Sequence, residues 1–257
     1  MLRHMGWLML LAGAAIAESP QKLISVFGPG EQTTYDVSYM GLTAGRAEIT
    51  VGWKMEQFGR DVWPLVCVGE TTQMAAVFPV KDRFISYWDP LTRSSVGADF
   101  FVHEDKHRAK SRFKYDFDAG EVTVTRESPG WPTTEKTFSI EQGTLDLAAA
   151  GFSLRNIPLQ VGAVHDLPIF TGAKFYTMTA TVVGRESIRT GLGELEVYRV
   201  TVNGDFTGKL ATQGLMTLFY TADEKQLPVR AEAKLMLGSV KVEAVKYEPG
   251  RRYTGVE

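Results

Sequence analysis

His103, Glu104 and His107, in His103-Glu104-Asp105-Lys106-His107, have the residue types and spacing of a zinc-hydrolase motif. On a helix, that spacing puts both imidazoles on one face, with the glutamate beside a metal-bound water as general base. The flanking residues argue against a helix here. Val96, Ala98, Phe100 and Val102 precede the motif, and Ala109, Ser111 and Phe113 follow it, in both cases with the period of two that marks a strand. The five residues therefore read as a polar hairpin tip, which splays the ring nitrogens. A third protein ligand would have to be His165 or a distant carboxylate. The pairs Asp82 with Asp89 and Glu104 with Asp105 have the types for acid–base work on a glycan, yet such residues are also ordinary turn formers. Neither a Gly-Lys-Ser/Thr phosphate loop nor a G-x-S-x-G elbow occurs. The single cysteine, Cys67, lies in Leu65-Val66-Cys67-Val68 with no basic neighbour, so it reads as a small buried hydrophobe, unable to form an internal disulfide.

The aromatic residues offer a different chemistry. Phe84, Trp88, Phe100, Tyr176 and Phe219 stand out among those of the two halves of the chain. Side chains of this kind ordinarily build a sheet core. A barrel of many strands, however, is too wide for its own side chains to fill and leaves room for a ligand. Ala231 and Ala233 are small residues on the apolar side of a strand that continues to Leu235, and they favour unfilled volume. The expected ligand-binding set is thus Phe84, Trp88, Phe100, Tyr176, Phe219, Ala231, Ala233 and Leu235, with no catalytic residue, metal or cofactor.

The elements that position these residues are nearly all strands. Val229, Ala231, Ala233, Leu235 and Leu237 alternate with Arg230, Glu232, Lys234 and Met236, giving one apolar and one mostly charged face. The segment 215–220 reads as one partner and Val240–Ala244 as the other, with Gly238-Ser239 between. Tyr35, Val37 and Tyr39 begin the pattern, Gly41 to Gly45 is read as a turn, and Ala47, Ile49, Val51 and Trp53 continue it. Further strands are expected at Trp63–Gln73, Asp82–Trp88, Ser94–Val102, Arg108–Phe117, Glu121–Glu127, Lys174–Val183 and Glu194–Asn203. One segment departs from the rhythm. From Thr144, a plausible cap, to Arg155, residues Leu145, Ala149 and Phe152 recur at helical spacing before Pro158 ends the run. The fold class is all-β with one short helix: a large twisted antiparallel sheet curling into an open or half barrel. Two β modules divided by the helix are the alternative.

The first residues bear on compartment. Arg3 and His4, an apolar run from Trp7 to Ala15, and Ala15-Ile16-Ala17 together form a cleavable secretory signal. The run is too short for a stable membrane span. The expected organisation is a signal peptide at 1–17, a leader at 18–29, one β domain at 30–248 and a tail at 249–257, in a periplasmic protein. Loss of Arg3 leaves 27 basic residues against 30 acidic ones, a net charge of −3. That balance gives no electrostatic footprint for nucleic acid or for anionic lipid surfaces.

Gly30-Glu31, Tyr35-x-Val37-x-Tyr39-x-Gly41, Ala44-Gly45-x-Ala47, Val80-x-Asp82, Leu145-Asp146, Leu154-Arg155, Pro158-Leu159, Gly162, Tyr220-x-x-Asp223, Leu227-Pro228-x-Arg230 and Gly238-Ser239 together resemble the exported bacterial family known as domain of unknown function 3108. The resemblance runs from about Gly30 to Tyr247 and implies an all-β exported protein without assigned catalytic residues. The closing hairpin is also similar in architecture to periplasmic half-barrel carriers of the LolA and LppX type. The functional expectation is a non-catalytic periplasmic protein that holds a lipid or a lipoprotein acyl chain in the concave sheet. An envelope structural protein with a filled core and a protein partner is the alternative, and a zinc-dependent envelope hydrolase using His103, Glu104 and His107 a remote one. Intact mass and N-terminal sequencing of the exported protein should place its first residue at Glu18; a chain retaining Met1 would exclude cleavage.

Overall fold

The computed structural model describes residues 25–71, 81–104, 107–203, 216–235 and 238–251. The alternating segments form β1 (Gln32–Tyr39), β2 (Leu42–Val51), β3 (Met55–Gln57), β4 (Arg60–Thr71), β5 (Lys81–Asp89), β6 (Ser94–Glu104), β7 (His107–Asp116), β8 (Glu121–Ser128) and β9 (Trp131–Ser139). After the helix α1 (Leu147–Arg155) come β10 (Val164–Phe170), β11 (Phe175–Thr190), β12 (Gly193–Asn203), β13 (Met216–Thr221), β14 (Pro228–Lys234) and β15 (Ser239–Glu248). They make one 15-stranded sheet in the order β10-β11-β12-β13-β14-β15-β1-β2-β4-β5-β6-β7-β8-β9, with β3 paired to β4 alone. Every ladder between these strands is antiparallel. This is the expected all-β open barrel.

Register shifts at Thr34/Tyr35, Val37/Ser38, Ser86/Trp88, Arg126/Ser128, Val182/Gly184 and Phe219/Tyr220 add local twist and help the sheet to curl. The terminal strands β9 and β10 share no ladder, so the barrel is open. Side chains bridge the gap. Phe170 packs 6.2 Å from Phe113 and 5.3 Å from Phe138 between ring centroids, and the Arg126 guanidinium donates to the Gly172 carbonyl at 2.8 Å.

Several sequence expectations are corrected by local physics. The β1–β2 turn is Met40-Gly41, both with positive φ (50° and 83°), the requirement of a tight hairpin turn whose twist matches its strands. Gly45, read above as part of that turn, lies within β2. A Cβ there would come within 2.5 Å of the Glu70 carbonyl, so glycine permits the close approach of β2 to β4. The helix cap is Asp146 instead of Thr144: its Oδ1 accepts the Ala149 N–H at 2.9 Å. Leu145, counted in the helical spacing, instead exchanges hydrogen bonds with Pro168 and Phe170 of β10. Strands β3, β9 and β10 lay outside the expected set. In β9 nearly every residue is exposed and no apolar alternation exists; as a sheet edge it carries Pro132, Glu135 and Lys136, residues that discourage edge pairing. Residues 1–24, including the expected signal peptide, lie outside the described residues.

The helix sits inside the curl. Ala149, Ala150, Phe152, Leu154 and Arg155 are buried against Phe27, Trp63, Leu65, Trp88, Leu167, Ile169, Val182 and Val200. Phe27, from the segment read as leader, stacks edge-on to Phe152 at 4.7 Å and to Trp63 at 6.2 Å. A buried ion pair fixes the helix end. Arg155, with no exposed surface, meets Glu31 through both terminal guanidinium nitrogens, Nη2 lying 3.1 Å from Oε2. Its plane lies 5.0 Å from the Phe27 ring centre and 5.2 Å from that of Phe152, and its Nε donates to the Lys225 carbonyl. The Tyr247 hydroxyl completes the set on Glu31. Removing one member of such a pair strands a buried charge, at a cost of about 3–5 kcal/mol. Arg155→Met should therefore lose roughly that much stability in urea unfolding, and Arg155→Lys should recover little, because an ammonium cannot bridge both carboxylate oxygens.

Candidate functional site

Register fixes which residues share the inner face. Leu218 pairs with Ala231, and Ala231 with Val242; Tyr35 pairs with Ala47, and Ile49 with Cys67. These positions, with Met178 and Met216, face α1 across a cavity of about 320 Å³ whose other wall is Leu147, Ala148, Gly151, Phe152 and Leu154. The volume is at the small end of the range for ligand pockets, roughly 300–1,000 Å³. It survives because small side chains line it: Ala47, Cys67, Ala148, Gly151 and Ala231. A Cβ added at Gly151 would meet nothing within 4 Å.

Two polar fastenings hold this wall in place. The Tyr220 hydroxyl donates to the Gly151 carbonyl at 3.2 Å. Gln226, at a positive φ of 42°, donates to the Arg155 and Ile157 carbonyls at 2.7 and 2.8 Å while accepting the Leu159 N–H. Thus the β13–β14 loop clasps the end of α1. The Tyr35 hydroxyl donates to the Pro228 carbonyl at 2.9 Å, leaving its ring to the cavity.

Electrostatically the interior disfavours charge. Burial pushes the Cys67 thiol up to about 12, with the Asp146 carboxylate adding to the shift. The thiol is therefore neutral near pH 7 and is not a prepared nucleophile. Tyr35 and Tyr220 are likewise raised, chiefly by burial. Asp146 is buried without a cation and its pKa is raised by desolvation, although the N–H of Ala149 and the hydroxyls of Ser86 (2.6 Å) and Ser95 hold its charge in part.

The expected ligand-binding residues divide. Ala231 lines the cavity. Ala233 lies two residues along the same strand and lines a separate groove with Ser38, Gly41 and Lys241; Leu235, half-buried, donates its N–H to the Gly238 carbonyl. Trp88 is buried 5.8 Å from Phe27 in the filled core, and Tyr176 packs against that core. Phe84 and Phe100 contact each other at 5.9 Å and join the Phe113 cluster. Phe219, paired with Arg230 while its neighbour Leu218 pairs with Ala231, falls on the opposite face, with the Arg230 guanidinium 5.7 Å above its ring. Tyr35, Ile49, Cys67, Met178, Leu218 and the helix wall were missed as site residues. Alternation alone marks Tyr35 and Ile49 as inward; joining them to Ala231 requires the cross-strand register.

The His-Glu-x-x-His segment ends β6 and begins β7. Glu104 pairs with His107 and His103 with Arg108, so positions 103 and 107 belong to alternate faces of an extended ladder. Residues 105–106 lie outside the described residues. Among the described residues no group of three metal-ligating side chains is present.

The family described as "Protein of unknown function (DUF3108)" matches residues 34–245. No curated protein sequence matches the chain. Among solved structures, a β-barrel-like protein of domain of unknown function DUF1849 from Brucella abortus is similar with a TM-score of 0.56 at 10% identity, covering 88% of this chain and 99% of that one. A protein with a YmcC-like fold from Bacteroides fragilis aligns with a TM-score of 0.33 at 10% identity, covering 89% and 100%.

The Asp146 arrangement sets a pH dependence with a definite sign. The folded protein holds this proton more tightly than the unfolded chain, whose value is near 3.8. As pH rises above that value the unfolded state gains more from ionising, so the group's contribution to stability falls, levelling off above the folded-state pKa. Asp146→Asn keeps a cap acceptor and removes the charge. Its stability relative to the wild type should therefore improve from about pH 4 to about pH 7 in urea unfolding; a difference constant with pH would count against a buried charge there.

Proposed function

The chain belongs to the DUF3108 family, and we propose that this member is an exported, non-catalytic carrier that holds one acyl chain or a similarly slender apolar ligand inside its open barrel. The observation that supports this reading is the apolar cavity between α1 and the inner face of β1, β2, β4 and β13–β15. Its volume suits one chain and excludes the bulk of a whole diacyl lipid. The neutral Cys67 thiol and the inward tyrosine rings offer contact without charge, and Arg230, which also lines the cavity, is paired with Glu243. The signal-like N-terminus supports a periplasmic setting. An envelope scaffold with a filled core draws support from the packing of Trp88, Phe84 and Phe100, but such a scaffold has no use for the unfilled volume beside Gly151.

Lipid extraction and native mass spectrometry of the exported protein should find a substoichiometric fatty acid or monoacyl lipid. Binding of a fluorescent fatty acid should also slow thiol labelling of Cys67. Gly151→Leu combined with Ala231→Leu should weaken fatty-acid binding about tenfold or more by occupying the same space. Gly151→Ala alone should raise stability by roughly 0.5–1 kcal/mol, since it relieves a helical glycine and its methyl meets no atom. Wild-type protein that neither carries nor takes up a fatty acid, or a filled variant that binds as well as the wild type, would refute the carrier reading.

A further inference from the structure

The cavity has a direction, which can be followed along α1. Leu147 and Ala148 stand four and three residues before Gly151, and Leu154 three after it, so all four share one helical face and line the cavity in order. Exposure falls steeply along that face: Leu147, the first helical residue, is 45% exposed, Ala148 and Gly151 are half-buried, and Leu154 has no exposed surface. The strands repeat the gradient. Cys67, half-buried, lies toward the start of the helix: it pairs with Phe84, two residues from the Ser86 that bonds the Asp146 cap, and the Asp146 charge adds to the rise of its pKa. Tyr35 and Tyr220, both buried, lie toward the helix end, where the Arg155 charge works against the rise of theirs. The cavity thus meets water at the first turn of α1 and is blind where Tyr35, Phe152, Leu154 and Tyr220 close it, about 10 Å further along the helix.

At the blind end the donors are already committed. The Tyr35 and Tyr220 hydroxyls give their protons to the Pro228 and Gly151 carbonyls. Behind them Arg155 has both terminal nitrogens on Glu31 and its Nε on the Lys225 carbonyl. Arg230, the charged residue among the described lining, is held by Glu243 and the Arg189 carbonyl. A carboxylate or phosphate placed there would lose its water and gain no donor, which is costly, whereas a methyl terminus has no such loss. Beside Leu147 a polar group stays hydrated.

We propose that the cavity takes its acyl ligand tail-first along α1, with the methyl end against Tyr35, Phe152 and Tyr220 and the polar end in water beside Leu147. The ligand class is therefore the single-chain amphiphile, recognised by its alkyl tail and not by its head, so an acyl chain attached to a larger body that stays outside fits as well as a free fatty acid. This rests on the carrier reading and adds to it an orientation, a selectivity and a rim residue.

The test displaces a fluorescent fatty acid from the protein beginning at Glu18 with octanoate, decanoate, laurate, monolauroylglycerol and lauroyl lysophosphatidylcholine, each below its micelle concentration. Affinity should rise about three- to fourfold for each methylene from octanoate to laurate, and the three lauroyl ligands should agree within about threefold, since their heads remain in water. Leu147→Lys and Leu147→Glu then place opposite charges at the exposed rim, where a glutamate also suits the first turn of a helix. The lysine variant should bind laurate about fivefold or more tighter than the glutamate variant at low salt, with the ratio shrinking as salt is added, while the two variants should bind monolauroylglycerol equally. That combination supports the orientation. Laurate binding without binding of the two larger-headed lauroyl ligands, or equal laurate affinity in the two variants, overturns it and leaves the carrier reading standing. A wild type that binds none of the ligands refutes the carrier reading and the orientation with it.

Discussion

A sheet of 15 strands that curls on itself encloses more space than its inward side chains can fill. That geometric surplus governs the rest of the molecule. One remedy would be larger side chains all round, but a strand offers only alternate positions to the inside. The chain instead inserts a nine-residue helix, which brings Phe152, Leu154 and two buried alanines into the middle of the curl. A helix placed there has end groups that lie in the interior, and the burial of Glu31, Ser86, Ser95, Asp146 and Arg155 follows from satisfying them.

At the N-terminus of α1, Asp146 caps the helix and takes hydroxyl hydrogen bonds from strand residues, so the first turn is tied to β5 and β6. At the C-terminus, Arg155 meets Glu31 between two phenylalanine rings, and Gln226 occupies the last carbonyls. The Asp146 carboxylate lies against the helix N-terminus, whose partial positive charge favours it, and the arginine lies in the last turn, where partial negative charge favours a cation. Both charges are costly to bury and both are compensated by geometry. Such fastenings hold one position of the helix against the sliding that a purely apolar plug would allow.

This division explains what alternation in the sequence conveyed. Strand identity on one buried face needs only a period of two, so the order of apolar and charged residues from Tyr35 to Ala244 gave the fold class directly. Edge strand β9 escaped because neither face is buried and no period exists to be read. The cap was misplaced by two residues because Thr144 and Asp146 are both good cap types, and only the surroundings of Ser86 and Ser95 select the latter. For the cavity the obstacle was different. Ala231 could be singled out as a small inward residue, but Cys67, Ile49 and Gly151 join it only through ladders and a helix placement separated by scores of residues in sequence. Phe219 and Leu218 differ by one position, and that one position decides inside from outside.

The residues that suggested membership of a family include those that seat the helix. Glu31, Asp146, Arg155 and Tyr220 each contact α1 or its caps, whereas the cavity is walled mostly by apolar side chains, with Tyr35, Tyr220 and Arg230 the exceptions. A polar fastening depends on particular atoms at particular distances; an apolar lining depends mainly on volume. Related chains could therefore keep the helix clamped while enlarging or shrinking the space beside it, since exchanging Ala231 or Ile49 alters shape without stranding a charge. On this view the scaffold separates two tasks: the core around Trp63 and Trp88, with the Glu31–Arg155 pair, supplies rigidity, and the face of α1 toward Leu218 and Ala231 leaves a volume that can be tuned to its occupant.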